Sequence, residues 1–533
     1  MISLSLKKII TSLLFVISLN IWAQKHTERF ESIDVLHYSF DIKVTDTSNR
    51  IEGKAIIDIE FINPVTSFYL DLVNLQNDGL GMEVKSVKEN GKPVEFTHEN
   101  DRLTIKNGAF SANDTRQYTI TYTGIPEDGL IISKNKYGDR TYFGDNWPDR
   151  GKNWLPLVDH PSDKATVEWY ITAPSQYQSI GNGALVEQID LEDGFTQTHW
   201  KTDVVLPTKV MVIGIAKFAV NYHYTDFCIP VSSWVYPQNK NEGFKDYALA
   251  VPILTYFTNK IAPYPYKKLA NVQSKTRFGG MENAGNIFYF ENSVTGTGSV
   301  ERLIAHEIVH QWFGNSASEM NWHHIWLSEG FATYLTNLYT EDTYGKEPFV
   351  TQMNKERQMV INYAKNNLKP LVDTSVEDYL ELLNPNSYEK GGWVLHMLRR
   401  EMGDEQFWNV LRTYYEKYKL SNALSKDFQA IAEEISGKDL SEFFDQWLYQ
   451  AGHPVLSVNQ TIKEEKAIIN IEQVQDNFTF KFPLDLKINF TDGTSVIKTV
   501  HINQKQNTIN LDLTKIISSI DIDPNVWMLY ELL

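Results

Sequence analysis

Five consecutive residues, His306-Glu307-Ile308-Val309-His310, set two imidazoles four positions apart with a carboxylate between them. If this segment is helical, both histidines lie one turn apart on the same face, and their ring nitrogens can reach one metal ion. Glu307 would then stand beside the ion without binding it, which is where a general base belongs. The pattern alone is not decisive. With 13 histidines in the chain, chance supplies it in roughly one such sequence in fifty, and two buried helix histidines can serve structure only. A third donor shifts the balance: Glu329 follows His310 after eighteen intervening residues, inside Trp326-Leu327-Ser328-Glu329-Gly330-Phe331-Ala332. Two histidines and one glutamate leave a fourth tetrahedral position for water, the composition of a catalytic rather than a structural zinc site. Mixed nitrogen and oxygen donors favour zinc over magnesium or calcium. One zinc ion is therefore expected.

The elements around these residues are legible. Val300, Leu303, Ile304, Ile308, Val309, Trp312 and Phe313 give the histidine segment the apolar surface of a packed helix, with Ser299 as its cap and Gly314 at its end. Gly296-Thr297-Gly298 is a flexible approach to that cap. The gap before Glu329 gives the chain room to turn and pack a second helix on the first. Upstream, residues 244–261 read as a helix kinked at Pro252 and ended by Pro263 and Pro265. Residues 269–290 read as a short strand region.

Residues 33–230 are strand-like, as in the alternation of Tyr38-Ser39-Phe40-Asp41-Ile42-Lys43-Val44. Asn90-Gly91, Asn182-Gly183 and Asp193-Gly194 mark turns. After Gly452-His453-Pro454 alternation returns, with a hairpin signal at Asp492-Gly493. The fold class expected is multidomain α+β: a signal peptide over 1–23, a large antiparallel β domain over 24–232, a mostly helical zinc domain over 233–452, and a small β-sandwich over 453–533.

Two further motifs complete a resemblance. Gly279-Gly280-Met281-Glu282-Asn283 precedes the histidine motif, and Tyr388-Glu389-Lys390-Gly391 follows it. Read alone, the first is a Gly-Gly turn followed by a surface glutamate. In this order and spacing, the sequence resembles the zinc aminopeptidases of the aminopeptidase N and leukotriene hydrolase type, which are gluzincin metallopeptidases. The resemblance implies a thermolysin-like catalytic domain and hydrolysis of the N-terminal bond of peptides with a free N-terminus. It implies His306, His310 and Glu329 as zinc ligands, Glu307 as general base and acid, and Tyr388 as the donor that stabilises the oxyanion. Glu282 would anchor the substrate α-amine. Gly279 and Gly280 would let the substrate backbone approach, with Met281 and Asn283 in the same binding segment. From the β domain, Asp145 would support amine binding, with Asp149 the competing choice. His324 stands where relatives carry an aspartate; His323 and His324 are expected to pack or hydrogen-bond near a helix start rather than bind metal. The region after Gly452 has room only for a small β domain where many relatives carry a large helical one, so a more open site is expected. Two other functions fit the same motifs: a catalytically silent, zinc-bound peptide-binding module, and an epoxide hydrolase of the leukotriene hydrolase type. A silent member should lose the base or the tyrosine, and both are present.

Composition narrows the rest. At 533 residues the chain is too long for one core. Its formal charge of −17 offers no electrostatic footprint for nucleic acid or anionic lipid. Lys7 and Lys8 precede a largely apolar run over residues 9–23, then Gln24-Lys25-His26, which describes a secretory signal peptide and export to periplasm or medium. No membrane association is expected after its removal, and oligomeric state is open. Cys228 is the only cysteine, so no internal disulfide can form; it falls in the strand-like run 225–232 and reads as a small buried hydrophobe.

Overall fold

A computed structural model describes residues 32–533 apart from Asp226. The expected signal peptide at 1–23 lies outside the described residues. The described chain forms two compact units. The first runs to Ala248 and adds Tyr266–Thr297; the second is Leu249–Pro265 with Gly298–Leu533.

The first unit is built on alternation. In the strand Ile33–Thr45 the side chains of Val35, Tyr38, Phe40, Ile42 and Val44 are buried, with more exposed residues between them. This is what a sheet with one covered face selects. The strand pairs antiparallel with Ser48–Phe61, where Phe40 faces Ala55, and parallel with Lys164–Pro174, where Phe40 faces Trp169. The large sheet, of nine strands, is therefore mixed rather than wholly antiparallel. Alternation reports a half-buried strand and carries no information on the direction of its neighbour. Trp169 and Trp154 stack at 5.8 Å between centroids in the core.

A five-stranded sheet in the same unit runs in the order Ala219–His223, Val231–Val235, Leu269–Ser274, Asn286–Phe290, Gly280–Met281. Its middle pairs are parallel and its two end pairs antiparallel. Cys228 differs from expectation. It is exposed, with φ of +57°, in the hairpin before Val231, where Thr225 and Ile229 hydrogen-bond each other. The apolar run that suggested a buried strand begins to pair only at Val231.

The segment expected to be one kinked helix is two helices, Lys240–Tyr247 and Ala250–Lys260. Pro252 lies in the first turn of the second, where backbone N–H groups have no intrahelical acceptor to lose. In the second unit the helix Trp326–Tyr344 is buried on all sides from Trp326 to Thr340, and the helices Glu301–Val309, Lys346–Ala364 and Gly391–Met402 contact it. Beyond these helices, Ala467, Ile469 and Ile471 of one four-stranded sheet and Leu484, Leu486 and Ile488 of a three-stranded sheet are buried at alternate positions, as the inner faces of a sandwich require. Among the described residues, no helix is long and apolar enough to cross a membrane.

Candidate active site

The helix Glu301–Val309 carries His306 and Glu307, and His310 caps its C-terminus. Ile304, Ala305, Ile308 and Val309 bury its other face. At its start the Glu301 amide donates to the Gly298 carbonyl. Glu329 lies in the first turn of the buried helix Trp326–Tyr344.

These two helices bring the three donors together. Glu329 Oε2 lies 3.3 Å from His306 Nε2 and 3.2 Å from His310 Nε2, and the two imidazole nitrogens are 3.1 Å apart. Tetrahedral ligands held about 2.0–2.1 Å from a zinc ion are about 3.3 Å from one another, so this triangle has the size that zinc requires. It is the only group of three or more histidine, cysteine or carboxylate side chains close enough to hold an ion among the described residues. Burial pulls the His306 pKa down, which favours the neutral imidazole that binds metal. Burial alone would raise the Glu329 carboxyl, but the two imidazoles outweigh it and hold the group well below the usual carboxylate range.

A supporting layer fixes the donors. His310 Nδ1 lies 3.1 Å from the Phe313 carbonyl and 3.0 Å from Ser328 Oγ. Donation from Nδ1–H to that carbonyl leaves Nε2 as the metal-facing lone pair. Gly314 makes the arrangement possible: its φ is +114°, and a Cβ there would meet Ser328 Oγ at 2.2 Å and His310 Nδ1 at 3.0 Å. About two turns along the same helix from Glu329, the guanidinium of Arg302 donates to Asn337 and Thr340, and Asn337 donates to buried Glu356. Nothing in the linear sequence singles out that network, because Arg302, Asn337 and Glu356 meet only through helix packing.

Tyr388 lies in a π-helical turn, Asn386–Lys390, and its ring stacks on that of His306 with centroids 6.0 Å apart and planes 12° from parallel. Gly391 presses this turn against the Glu329 helix. A Cβ on Gly330 would sit 2.9 Å from the Gly391 backbone, and one on Gly391 would sit 2.9 Å from Gly330 Cα. The glycine after Glu329 and the glycine after the Tyr388 turn are therefore one contact. Glu307 is buried at 5% exposure, and it does not join the ligand cluster. His323 and His324 hydrogen-bond near the helix start, to the Val376 carbonyl and to Ser425 Oγ, and burial lowers the His324 pKa to about 4.

In the first unit, Gly280–Met281 forms the outer strand of the five-stranded sheet, paired with Tyr289 and Phe288. Gly279 is exposed and Gly280 half-buried, while Met281, Glu282 and Asn283 are buried. The turn that follows is tightly held. Asn286 N donates to the Asn283 carbonyl, Asn182 Nδ2 to the Ala284 carbonyl at 2.8 Å, and the buried Nζ of Lys268 to the Gly285 carbonyl and the Asn286 side chain.

Asp145 departs from its expected role. Its side chain has no exposed surface, it pairs with Arg150 at 2.5 Å, and it accepts from Thr276 Oγ1 and Arg277 N at 3.3 Å. A carboxylate so enclosed holds the approach to Gly279-Gly280 in place and offers no face to a substrate amine. Asp149 pairs instead with Lys152 at 2.7 Å.

Comparison with known proteins agrees with this geometry. Residues 35–210 match the family model of the peptidase M1 N-terminal domain, and residues 246–447 match that of the peptidase family M1 domain. The chain is 28% identical over 439 residues to a protein named probable aminopeptidase 2 of Sulfurisphaera tokodaii, covering 77% of this chain and 54% of that protein. It is 28% identical over 357 residues to human glutamyl aminopeptidase, covering 64% of this chain and 36% of that protein. It thus spans about half, or less, of the length of these curated relatives. The crystal structure of an M1 zinc metallopeptidase from Deinococcus radiodurans shares the fold, with a TM-score of 0.68 at 22% identity over 80% of this chain and 95% of that one. With both family models matched along most of its length and the three zinc donors in place, the chain belongs to peptidase family M1, a family of zinc metallopeptidases.

Proposed function

We propose that this protein is a zinc-dependent aminopeptidase that hydrolyses the N-terminal bond of peptides bearing a free α-amine. The observation that carries the reading is the convergence of His306, His310 and Glu329 within 4.8 Å of one another, with Glu307 on the same helix but outside the triangle. Zinc, when bound, acidifies water and polarises the scissile carbonyl. Glu307 takes the proton of the attacking water and passes it to the departing amine. The Tyr388 hydroxyl donates to the oxyanion that forms on the carbonyl. Glu282 supplies the carboxylate for the substrate ammonium, and Gly279 and Gly280 leave the outer strand open for a substrate backbone to pair along it. Asp145, through Arg150, Thr276 and Arg277, keeps that segment in place. Retention of both Glu307 and Tyr388 favours turnover over a silent binding role.

Aminoacyl-arylamides assayed beside their N-acetylated counterparts, with and without a chelator, test the reading. The expected outcome is a strong preference for the free-amine series over a slowly cleaved blocked series, with cleavage abolished by the chelator and restored by zinc. Faster cleavage of the blocked series would indicate an endopeptidase, and no cleavage by zinc-loaded protein would indicate a silent module. Export is part of the proposal, resting on Lys7, Lys8 and the apolar run after them. N-terminal sequencing of protein recovered from periplasm or medium should begin at Gln24, and an intact Met1 there would overturn it.

A further inference from the structure

We infer that Lys390 is a positioning residue for the oxyanion donor, its buried Nζ tethering the turn that carries Tyr388 to the 450–452 segment. The inference rests on the reading of Tyr388 given above. Lys390 is 1% exposed, and its Nζ donates to the Gly452 carbonyl at 2.9 Å and the Gln450 carbonyl at 3.4 Å. Those carbonyls sit in a segment that is itself held, since Asn477 Nδ2 donates to the Ala451 carbonyl between them at 2.6 Å.

The turn needs such a hold. Its backbone closes in the wide π-helical manner, with Lys390 N donating to the Pro385 carbonyl at 2.8 Å. Single π turns of this kind are rare and recur at functional sites. One end of the turn is fixed by Asn386, which donates to the carbonyls of Lys369 and Pro370. The other end meets the Glu329 helix at Gly391. Lys390 supplies a further restraint, two residues from Tyr388, through contacts to a different stretch of chain. A hydroxyl that must meet a developing charge loses catalytic value with displacement, and misplacement by about 1 Å can cost about a hundredfold in rate. Tethering Tyr388 therefore acts on the transition state and leaves substrate binding largely alone.

The test is a double-mutant cycle on the zinc-loaded, full-length protein, with Lys390→Met and Tyr388→Phe. Lys390→Met keeps the aliphatic stem and removes the donor. In the otherwise native protein, kcat should fall about ten- to a hundredfold with KM within about twofold and zinc content unchanged. In the Tyr388→Phe background, the same substitution should cost less than about twofold, because no hydroxyl remains to be positioned. An equal loss in both backgrounds would show a merely structural lysine and overturn the inference, as would no loss in either. If Lys390→Met does not fold, Lys390→Leu, which also lacks a donor, is carried through the same cycle under the same criteria. Full kcat in Tyr388→Phe alone would refute the oxyanion assignment itself, which separates that failure from a failure of the tether.

Discussion

Replacing Glu307 with glutamine should leave zinc bound and lower kcat by about 10²–10⁴-fold, the usual contribution of a positioned general base. The structure separates the two functions of the histidine helix. His306 and His310 reach Glu329 at 3.3 and 3.2 Å, whereas Glu307 contributes no atom to that triangle. The ion's three ligands therefore survive the substitution. Glutamine keeps the size and shape of the side chain in a position that is 5% exposed, so packing should change little. What disappears is a group able to accept a proton from water. Metal analysis of the purified variant, together with kcat on the best free-amine arylamide, checks both halves of the expectation. A variant that keeps its zinc and full turnover would remove Glu307 from the mechanism. A variant that loses its zinc would show that the carboxylate supports the metal centre.

The metal centre was largely legible in the sequence, because its geometry is mostly local. Four residues make one helical turn, so the His306 and His310 spacing already specifies two convergent imidazoles, and the buried first turn at Glu329 supplies the third donor. What the sequence left dark depends on contacts between distant segments. The alternation of Ile33–Thr45 identified a strand but not its parallel neighbour Lys164–Pro174. Asp145 reads as an acidic residue available to a substrate until Arg150 is placed 2.5 Å away and the side chain is fully enclosed. Lys390 stands in a motif whose tyrosine draws attention. Its own partners, the carbonyls of Gln450 and Gly452, lie some sixty residues downstream and are backbone atoms that no residue type announces. Gly330 and Gly391 are likewise ordinary helix glycines until the 2.9 Å approach between them shows why neither position has room for a side chain.

Glu282→Gln should lower kcat/KM on free-amine substrates by about 2–4 kcal/mol, roughly thirty- to a thousandfold, the range for truncating one partner of a buried, hydrogen-bonded charge pair. A peptide N-terminus is an ammonium at neutral pH, and removing it from water is costly unless an opposite charge receives it. Glu282 is buried at 4% exposure, so its carboxylate lies where water competes weakly for that charge. The amide of glutamine preserves volume and can still accept a hydrogen bond but carries no compensating charge. The surrounding turn should persist, because Asn182 and Lys268 hold it through the carbonyls of Ala284 and Gly285. N-acetylated substrates give the decisive comparison. They bring no ammonium to the site, so their slow cleavage should be nearly the same in both proteins, and the preference for free amines should collapse toward parity. If the variant instead loses activity equally on both series, Glu282 acts on the shared chemistry and not on amine recognition. If the preference survives intact, the anchor is a different residue, and the exopeptidase assignment would need another carboxylate to carry it.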